Sequence, residues 1–264
     1  MNVLSLFDGI STAHVALDKL HIPVDVYYAS EIDKHAIAVT KHNYPDTICL
    51  GDVRKVSLSN IHHPIDLLCF GSPCQSFSFA GKRKGMSTKE NMKVTDLETY
   101  LSLKEQGVEF EGQSYLFWEA VRLIKLLNPK YFFMENVVMQ KEWEDVISTA
   151  LGVKPVLVNS ALTSPATRRR LYWTNIPFKG QPRDFGLTFG DVRERNVPKE
   201  SGMYYTEQGM EWIRRHSERT GKVLHLFQDN EKMQMLEASM HKKYSSQRFF
   251  GIEDTYGIRY IIAE

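Results

Sequence analysis

Cys74 follows a proline in Gly71-Ser72-Pro73-Cys74-Gln75-Ser76-Phe77-Ser78, just past the apolar run Ile65 to Phe70. A structural cysteine usually lies inside an apolar run, as Cys69 does, whereas α/β proteins place their sites at the carboxyl ends of parallel strands. A thiolate in that position can activate an electron-poor ring by covalent addition, helped by nearby cations or a helix N-terminus. Glu135 closes the apolar run Tyr131-Phe132-Phe133-Met134. The position suits a carboxyl that donates a proton, or alternatively a helix cap. Thr167-Arg168-Arg169-Arg170-Leu171 adds three adjacent arginines. Only alternate residues of an extended segment face the same way, so Arg168 and Arg170 share a face suited to phosphate.

A second set of residues has nucleotide-binding spacing. Phe7-Asp8-Gly9-Ile10-Ser11 ends the first apolar run, and a helical pattern begins at once with Val15, Ala16 and Leu20. The glycine lets backbone amides approach a ligand over the helix N-terminus, or merely closes a tight turn. Glu31 lies about 20 residues farther on, the offset at which a doubly wound site presents an acid to ribose hydroxyls. Gly51-Asp52-Val53 follows the third run, where a carboxylate can accept from an adenine amino group. Three consecutive strand ends thus point to one adenosine.

The elements that must carry these residues alternate short β-branched or aromatic runs with helical patterns, as in a parallel α/β sheet. Strands are predicted at Val3 to Phe7, Val24 to Ser30, Thr47 to Leu50, Ile65 to Phe70, Tyr131 to Met134 and Pro155 to Asn159. Leu116, Phe117, Ala120, Val121, Ile124 and Leu127 repeat at helical spacing, and Asn128-Pro129 ends that helix. The stretch from Gly81 to Gln113, with Lys82, Arg83, Lys84, Lys89 and Lys93, reads as a long positively charged loop. After Ile176 the rhythm changes at Pro177, Gly180, Pro182 and Gly186. These mark a boundary between a domain at 1–178 and a smaller lobe at 179–264, in which Met210, Ile213 and Gly221 outline one helix followed by short strands.

Composition narrows the class without naming it. The chain has 264 residues, 42% hydrophobic and 25% charged, which is enough to bury a core and excludes disordered or collagen-like chains. With 33 basic and 32 acidic residues the balance is neutral, which excludes a uniformly basic coat but not a local basic groove. The three cysteines form no CxxC pair, so neither a disulfide framework nor a four-cysteine zinc site can be written, and a reducing compartment is expected. No signal peptide or membrane-length apolar run is present.

Taken in order, Phe7-Asp8-Gly9, Glu31, Gly51-Asp52-Val53, Gly71-Ser72-Pro73-Cys74-Gln75, Glu135-Asn136-Val137 and Arg168-x-Arg170 resemble the motifs of DNA cytosine-C5 methyltransferases. The texture of Phe79-Ala80-Gly81-Lys82-Arg83 and Glu111-Gly112-Gln113-Ser114 is similar to the bacterial and phage branch, which implies the cytoplasm of a bacterial or phage-infected cell and a setting such as restriction-modification. The resemblance implies a Rossmann-like S-adenosylmethionine-dependent sheet over residues 1–178 and a target-recognition lobe over 179–264. It implies methylation of C5 in a cytosine flipped out of duplex DNA, with Cys74 adding to C6 and Glu135 bonded at N3. Arg168 and Arg170 would hold the flipped nucleotide and its phosphate, and Gln75, Ser76, Lys82, Arg83 and Lys84 would contact DNA. Phe7, Asp8, Gly9 and Ile10 would wrap the methionine part of S-adenosylmethionine, and Glu31 would bind its ribose. Ile32 would pack on adenine, Asp52 and Val53 would meet its edge, Pro73 would border the methyl group and Leu116 would line the pocket. Ile32 and Leu116 could equally be core residues.

Two departures from the family pattern stand out. Ala166 occupies the place of the glutamine that normally precedes the first arginine, a change expected to slow turnover without abolishing it. Gly257-Ile258-Arg259-Tyr260-Ile261 resembles the start of the motif after the recognition domain, and the family's Asn-Ser helix does not follow before Glu264. The expectation is a truncated chain, or one subunit of a split enzyme whose second polypeptide supplies that helix. The rival readings are a catalytically weak DNA-binding or regulatory relative, and an RNA cytosine methyltransferase.

Overall fold

The structure is a computed structural model that describes residues 1–74, 85–235 and 249–260. The chain forms two units, one comprising Met1–Val158 with Arg170–Lys179, the other Asn159–Arg169 with Gly180–Glu264. The main changeover falls at residues 179 and 180, and the short segment Asn159–Arg169 also belongs to the second unit.

In the first unit, β1 (Asn2–Leu6), β2 (Val26–Ser30), β3 (Ile48–Cys49), β4 (Leu67–Phe70) and β5 (Tyr131–Val137) are parallel neighbours in the order β3-β2-β1-β4-β5. Period-two alternation explains why both faces are covered. Leu4, Leu6, Tyr28, Leu68 and Phe70 belong to one apolar cluster, whereas Val3, Tyr27, Ala29, Leu67 and Cys69 belong to another. Leu17 of α1 (Thr12–Lys19) joins the second cluster. The larger one takes Phe117, Trp118, Val121 and Leu123 of α4 (Phe117–Leu127) and Trp143 and Ile147 of α5 (Lys141–Leu151). Asp33 caps α2 (Lys34–Asn43) by accepting from two of its first amides, and Asn128 ends α4 in the left-handed region.

Two elements depart from the sequence expectation. The stretch read as one long loop contains α3 (Leu97–Glu105), capped by Asp96, which accepts from the Thr99 amide. Its Tyr100 is fully buried in the larger cluster. The arginine segment is part of an antiparallel strand, β8 (Arg169–Thr174), which pairs with β5 and is followed in the sheet by β6 (Val156–Asn159).

The second unit has its own small core of Phe189, Phe227, Met233, Phe250 and Ile252, against which Ala166 packs. Its strands are β7 (Ala166–Thr167), β9 (Leu224–Leu226), β10 (Met233–Gln234), β11 (Phe249–Asp254) and β12 (Gly257–Arg259). β11 lies between β9 and β12, and β7 pairs with β10. The expected helix is α6 (Glu207–Thr220), capped by Thr206 and ended at Gly221. Among the described residues no helix is long and apolar enough to cross a membrane.

Candidate active site

The turn after β1 is held in an unusual backbone conformation. Phe7, Gly9 and Ser11 have φ of 55°, 59° and 60°, so two residues with side chains occupy the left-handed region that disfavours them. Asp8 fixes this shape from inside. Its carboxylate accepts from the Ser11 hydroxyl at 2.5 Å and the Tyr27 hydroxyl at 2.7 Å, and it is 7% exposed. Burial, reinforced by the Asp8 charge, raises the Tyr27 pKa, so its phenol stays a donor. Asp8 therefore shapes the turn with its side chain turned into the protein.

Glu31 ties this turn to the end of β2. Its Oε2 accepts from the Gly9 amide at 2.8 Å, and its Oε1 accepts from the Ile32 and Asp33 amides at 2.7 and 2.8 Å. A carboxylate offers about four acceptor sites, so one remains for a hydroxyl. Glu31→Gln sets an amide NH₂ against a backbone N–H, leaving a donor unpaired at about 1–3 kcal/mol. We expect a lowered melting temperature and a roughly tenfold or greater loss of cofactor affinity, read by thermal melting and calorimetry. Wild-type values for both would contradict the hub role of Glu31.

A cavity of about 230 Å³ opens at these strand ends, lined by Phe7, Glu31, Ile32, Asp52, Val53, Pro73 and Leu116. Asp8, Gly9 and Ile10 are not among its lining residues, and Ile10 is 51% exposed. Ile32 is 69% exposed, which removes its reading as a core residue. Gly51 and Gln113, named above within their motifs, also line the cavity, as do Ser30, Arg54 and Tyr115, to which no role was assigned from sequence. Arg54 directly follows the Asp52-Val53 pair and clasps Asp52, with Nε 3.0 Å from each carboxylate oxygen and Nη2 2.5 Å from Oδ2. The Arg54 guanidinium holds the Asp52 carboxyl below the usual carboxylate range. Asp52 also caps the 3-10 turn Val53–Lys55, so little acceptor capacity is left on it for an adenine amino group. The volume lies below the ~300–1,000 Å³ of pockets that enclose whole drug-sized ligands, and the lining suits the nucleoside end of a cofactor.

Cys74 follows β4 on a tether fixed at two points. Asn136, 1% exposed on β5, donates through Nδ2 to the carbonyl and hydroxyl oxygens of Ser72, both at 3.2 Å. The buried Ser114 hydroxyl donates to the Pro73 carbonyl at 3.0 Å. Cys74 is partly exposed, in contrast to Cys69, whose thiol is pushed up to about 12 by burial. Glu135, on the neighbouring strand, forms an ion pair with Arg170 of β8, Nε to Oε1 at 2.7 Å. Gly71 lies beside Glu135, since a Cβ there would sit 3.5 Å from the Glu135 Oε2. Arg170 thus orients the carboxylate on β5, the parallel neighbour of the strand β4 that leads into the cysteine loop.

Arg168 belongs to the second unit, where its amide donates to the Asn159 side chain at 3.2 Å. Ala166 is packed there too, its carbonyl accepting from the Ser160 hydroxyl at 2.7 Å. Gln75, Ser76, Lys82, Arg83 and Lys84 lie outside the described residues. Lys89 and Lys93, read as part of the basic loop, instead pair with Glu109 and Glu142, so their charge is compensated.

Residues 1–145 match the family model of the C-5 cytosine-specific DNA methylase. The orphan methyltransferase M.SPBetaI of Bacillus phage SPbeta is 35% identical over 150 residues, which cover 52% of this chain and 33% of that protein. The type II methyltransferase M.NgoBV of Neisseria gonorrhoeae is 31% identical over 138 residues, 51% of this chain and 27% of that protein. The matched region thus spans about a third of these curated relatives. Among solved structures, the S. pombe Dnmt2 methyltransferase aligns with a TM-score of 0.65 at 15% identity, covering 99% of this chain and 83% of that one. A Spodoptera frugiperda DNMT2 aligns with a TM-score of 0.62 at 19% identity, covering 96% and 75%. These two likenesses establish the Rossmann-like fold expected from the strand pattern. With the family model matching more than half of the sequence, the chain belongs to the C-5 cytosine-specific DNA methylase family.

Proposed function

We propose that the protein methylates C5 of cytosine in duplex DNA, with S-adenosylmethionine as methyl donor. The observation that carries the reading is the partly exposed Cys74 tethered by Asn136 and Ser114 beside the strand end that presents Glu135. Cytosine C5 is a poor nucleophile until a group adds at C6. Cys74 Sγ forms that bond as a thiolate, and the Glu135 carboxyl, held by Arg170, gives its proton to N3 as the ring's electron density moves to C5. S-adenosylmethionine, when bound, supplies an electrophilic methyl group. Loss of the C5 proton to a base then restores the ring and breaks the Sγ–C6 bond. The base must leave the duplex stack to meet these groups. Arg170 and Arg168 are assigned to the flipped nucleotide and its phosphate, and Gln75, Ser76, Lys82, Arg83 and Lys84 to the DNA.

The cofactor assignment is supported by the cavity, where Glu31 retains one acceptor site and Phe7, Ile32, Val53 and Leu116 offer apolar wall to a flat ring. Glu31 would take a ribose hydroxyl, Val53 would meet the adenine edge with Asp52 shaping that edge of the cavity through its clasp with Arg54, and Pro73 would border the methyl end. Asp8, Gly9 and Ile10 complete the turn for the methionine end.

The test is incorporation of label from S-adenosylmethionine into mixed-sequence duplex DNA. It is run with the chain alone and with an added polypeptide that carries the family's Asn-Ser helix, because a complementing chain is part of the proposal. Label that appears only with the added polypeptide establishes a split enzyme, and label from the chain alone removes the need for a partner. No label under either condition, together with no covalent adduct on a 5-fluorocytosine duplex, would leave the DNA-binding or regulatory reading.

A further inference from the structure

Glu119 of α4 is a fully buried carboxylate that the chemistry above does not use. Three donors meet it: Arg122 Nε at 2.7 Å, the Tyr100 hydroxyl at 2.6 Å, and Lys104 Nζ. Such pairing explains how a charge is tolerated at this depth. It does not explain where the rest of the Arg122 side chain goes. Arg122 Nη2 leaves α4 and donates to the Val56 carbonyl at 2.9 Å, with the Val53 carbonyl at 3.5 Å.

These two carbonyls bound the 3-10 turn Val53–Lys55, which Asp52 caps and whose Val53 lines the cavity. A short helix leaves its last carbonyls without partners of its own. Val56 is 1% exposed, so its carbonyl depends on a protein donor. The same helix begins just after Leu116, another lining residue. Leu116 thus supplies a wall of the cavity, and the helix that follows it supplies the grip on the Val53–Val56 segment.

We infer that Arg122, oriented by Glu119, is a positioning residue for the adenine end of the cofactor cavity. The inference rests on the cofactor reading of that cavity. Arg122 touches no ligand; it fixes the backbone of the Asp52-Val53 turn, and with it the Asp52–Arg54 clasp and the Val53 side chain that line the cavity. Lysine cannot replace it. A single ammonium on a flexible stem cannot engage Glu119 through one nitrogen and the turn through another in a fixed plane, as the guanidinium does.

The test uses the full chain and S-adenosylhomocysteine as the calorimetric probe, with Arg122→Lys and Glu119→Gln as variants. Arg193→Lys is the control, because it disturbs the half-buried ion pair between Arg193 and Asp229 in the other unit. The α4 variants are expected to bind the probe about tenfold more weakly, with the KM for S-adenosylmethionine raised by a similar factor and kcat within about twofold. The control is expected to keep wild-type affinity. If Glu119→Gln does not fold, Arg122→Lys decides alone. Wild-type affinity in Arg122→Lys, or a fall in kcat without a change in KM, would overturn the positioning role. A wild-type chain that binds no probe would overturn the cavity assignment itself.

Discussion

Cys74→Ala is expected to lower methyl transfer by about 10⁴-fold or more, on the order of 5 kcal/mol of transition-state stabilisation. No other described thiol can take over. Cys69 lies in the sheet with its thiol pushed up to about 12 by burial, so it holds essentially no thiolate at neutral pH. Cys49 is exposed but ends β3, at the far edge of the sheet from β5 and Glu135. Radiolabel from S-adenosylmethionine on duplex DNA measures the loss, and mass spectrometry of the trapped 5-fluorocytosine duplex locates the adduct. Cofactor affinity and melting temperature should stay near wild type, because the Cys74 side chain supports neither the Glu31 hub nor the core. An adduct at Cys49 or Cys69, or a Cys74→Ala chain that retains a tenth of wild-type turnover, would refute covalent catalysis by Cys74.

The parts of this fold that depend on local pattern were legible in the sequence. β1, β2, β4 and β5 are buried on at least part of both faces, so their apolar runs announce themselves, and Asn128-Pro129 marks the end of α4 with the residue types that stop helices. The carboxyl ends of these strands were legible for the same reason, which is why Glu31 and Cys74 could be picked out. α3 was also readable, since Asp96-Leu97-Glu98-Thr99-Tyr100 carries a cap and Leu97, Tyr100, Leu101 and Leu103 follow helical spacing. The surrounding lysines drew attention to charge instead, and two of those lysines are paired with acids 20 and 49 residues away. β8 could be seen as extended but not placed, because antiparallel pairing with β5 is a tertiary fact. The Arg170–Glu135 pair, the Ser114 tether on Pro73 and the reach of Arg122 to Val56 are of that kind. They join positions 35 to 66 residues apart, and no local spacing encodes them. Ala166 shows the limit from the other side. Its departure from the family pattern is visible in the sequence, but the Phe189, Phe227 and Phe250 cluster it packs against is not.

Gly85→Ala is expected to destabilise the first unit by about 2–5 kcal/mol, from overpacking of about 1–3 kcal/mol added to a left-handed backbone penalty of about 1–2 kcal/mol. Gly85 has φ of 61°, and a Cβ there would lie 1.8 Å from Trp143 Cε2 and 2.1 Å from Cζ2. Trp143 is 2% exposed in the main core, so the indole has no free space into which to retreat. Met86, next in the chain, is fully buried in the same cluster. Gly107→Ala is the matched control, with φ of 74° and nothing within 4 Å of the added carbon, so it carries the backbone penalty alone. Thermal melting should show Gly85→Ala unfolding about 10 °C below wild type and Gly107→Ala only a few degrees below. Equal shifts in the two variants would mean that Trp143 does not close on Gly85 as described. Upstream of residues 75–84, Ser114 pins the Pro73 carbonyl beside Cys74; downstream, Gly85 passes under Trp143. Asn136 and Ser114 thus fix the two residues just before Cys74, whereas Gly85 belongs to the core that Trp143 closes.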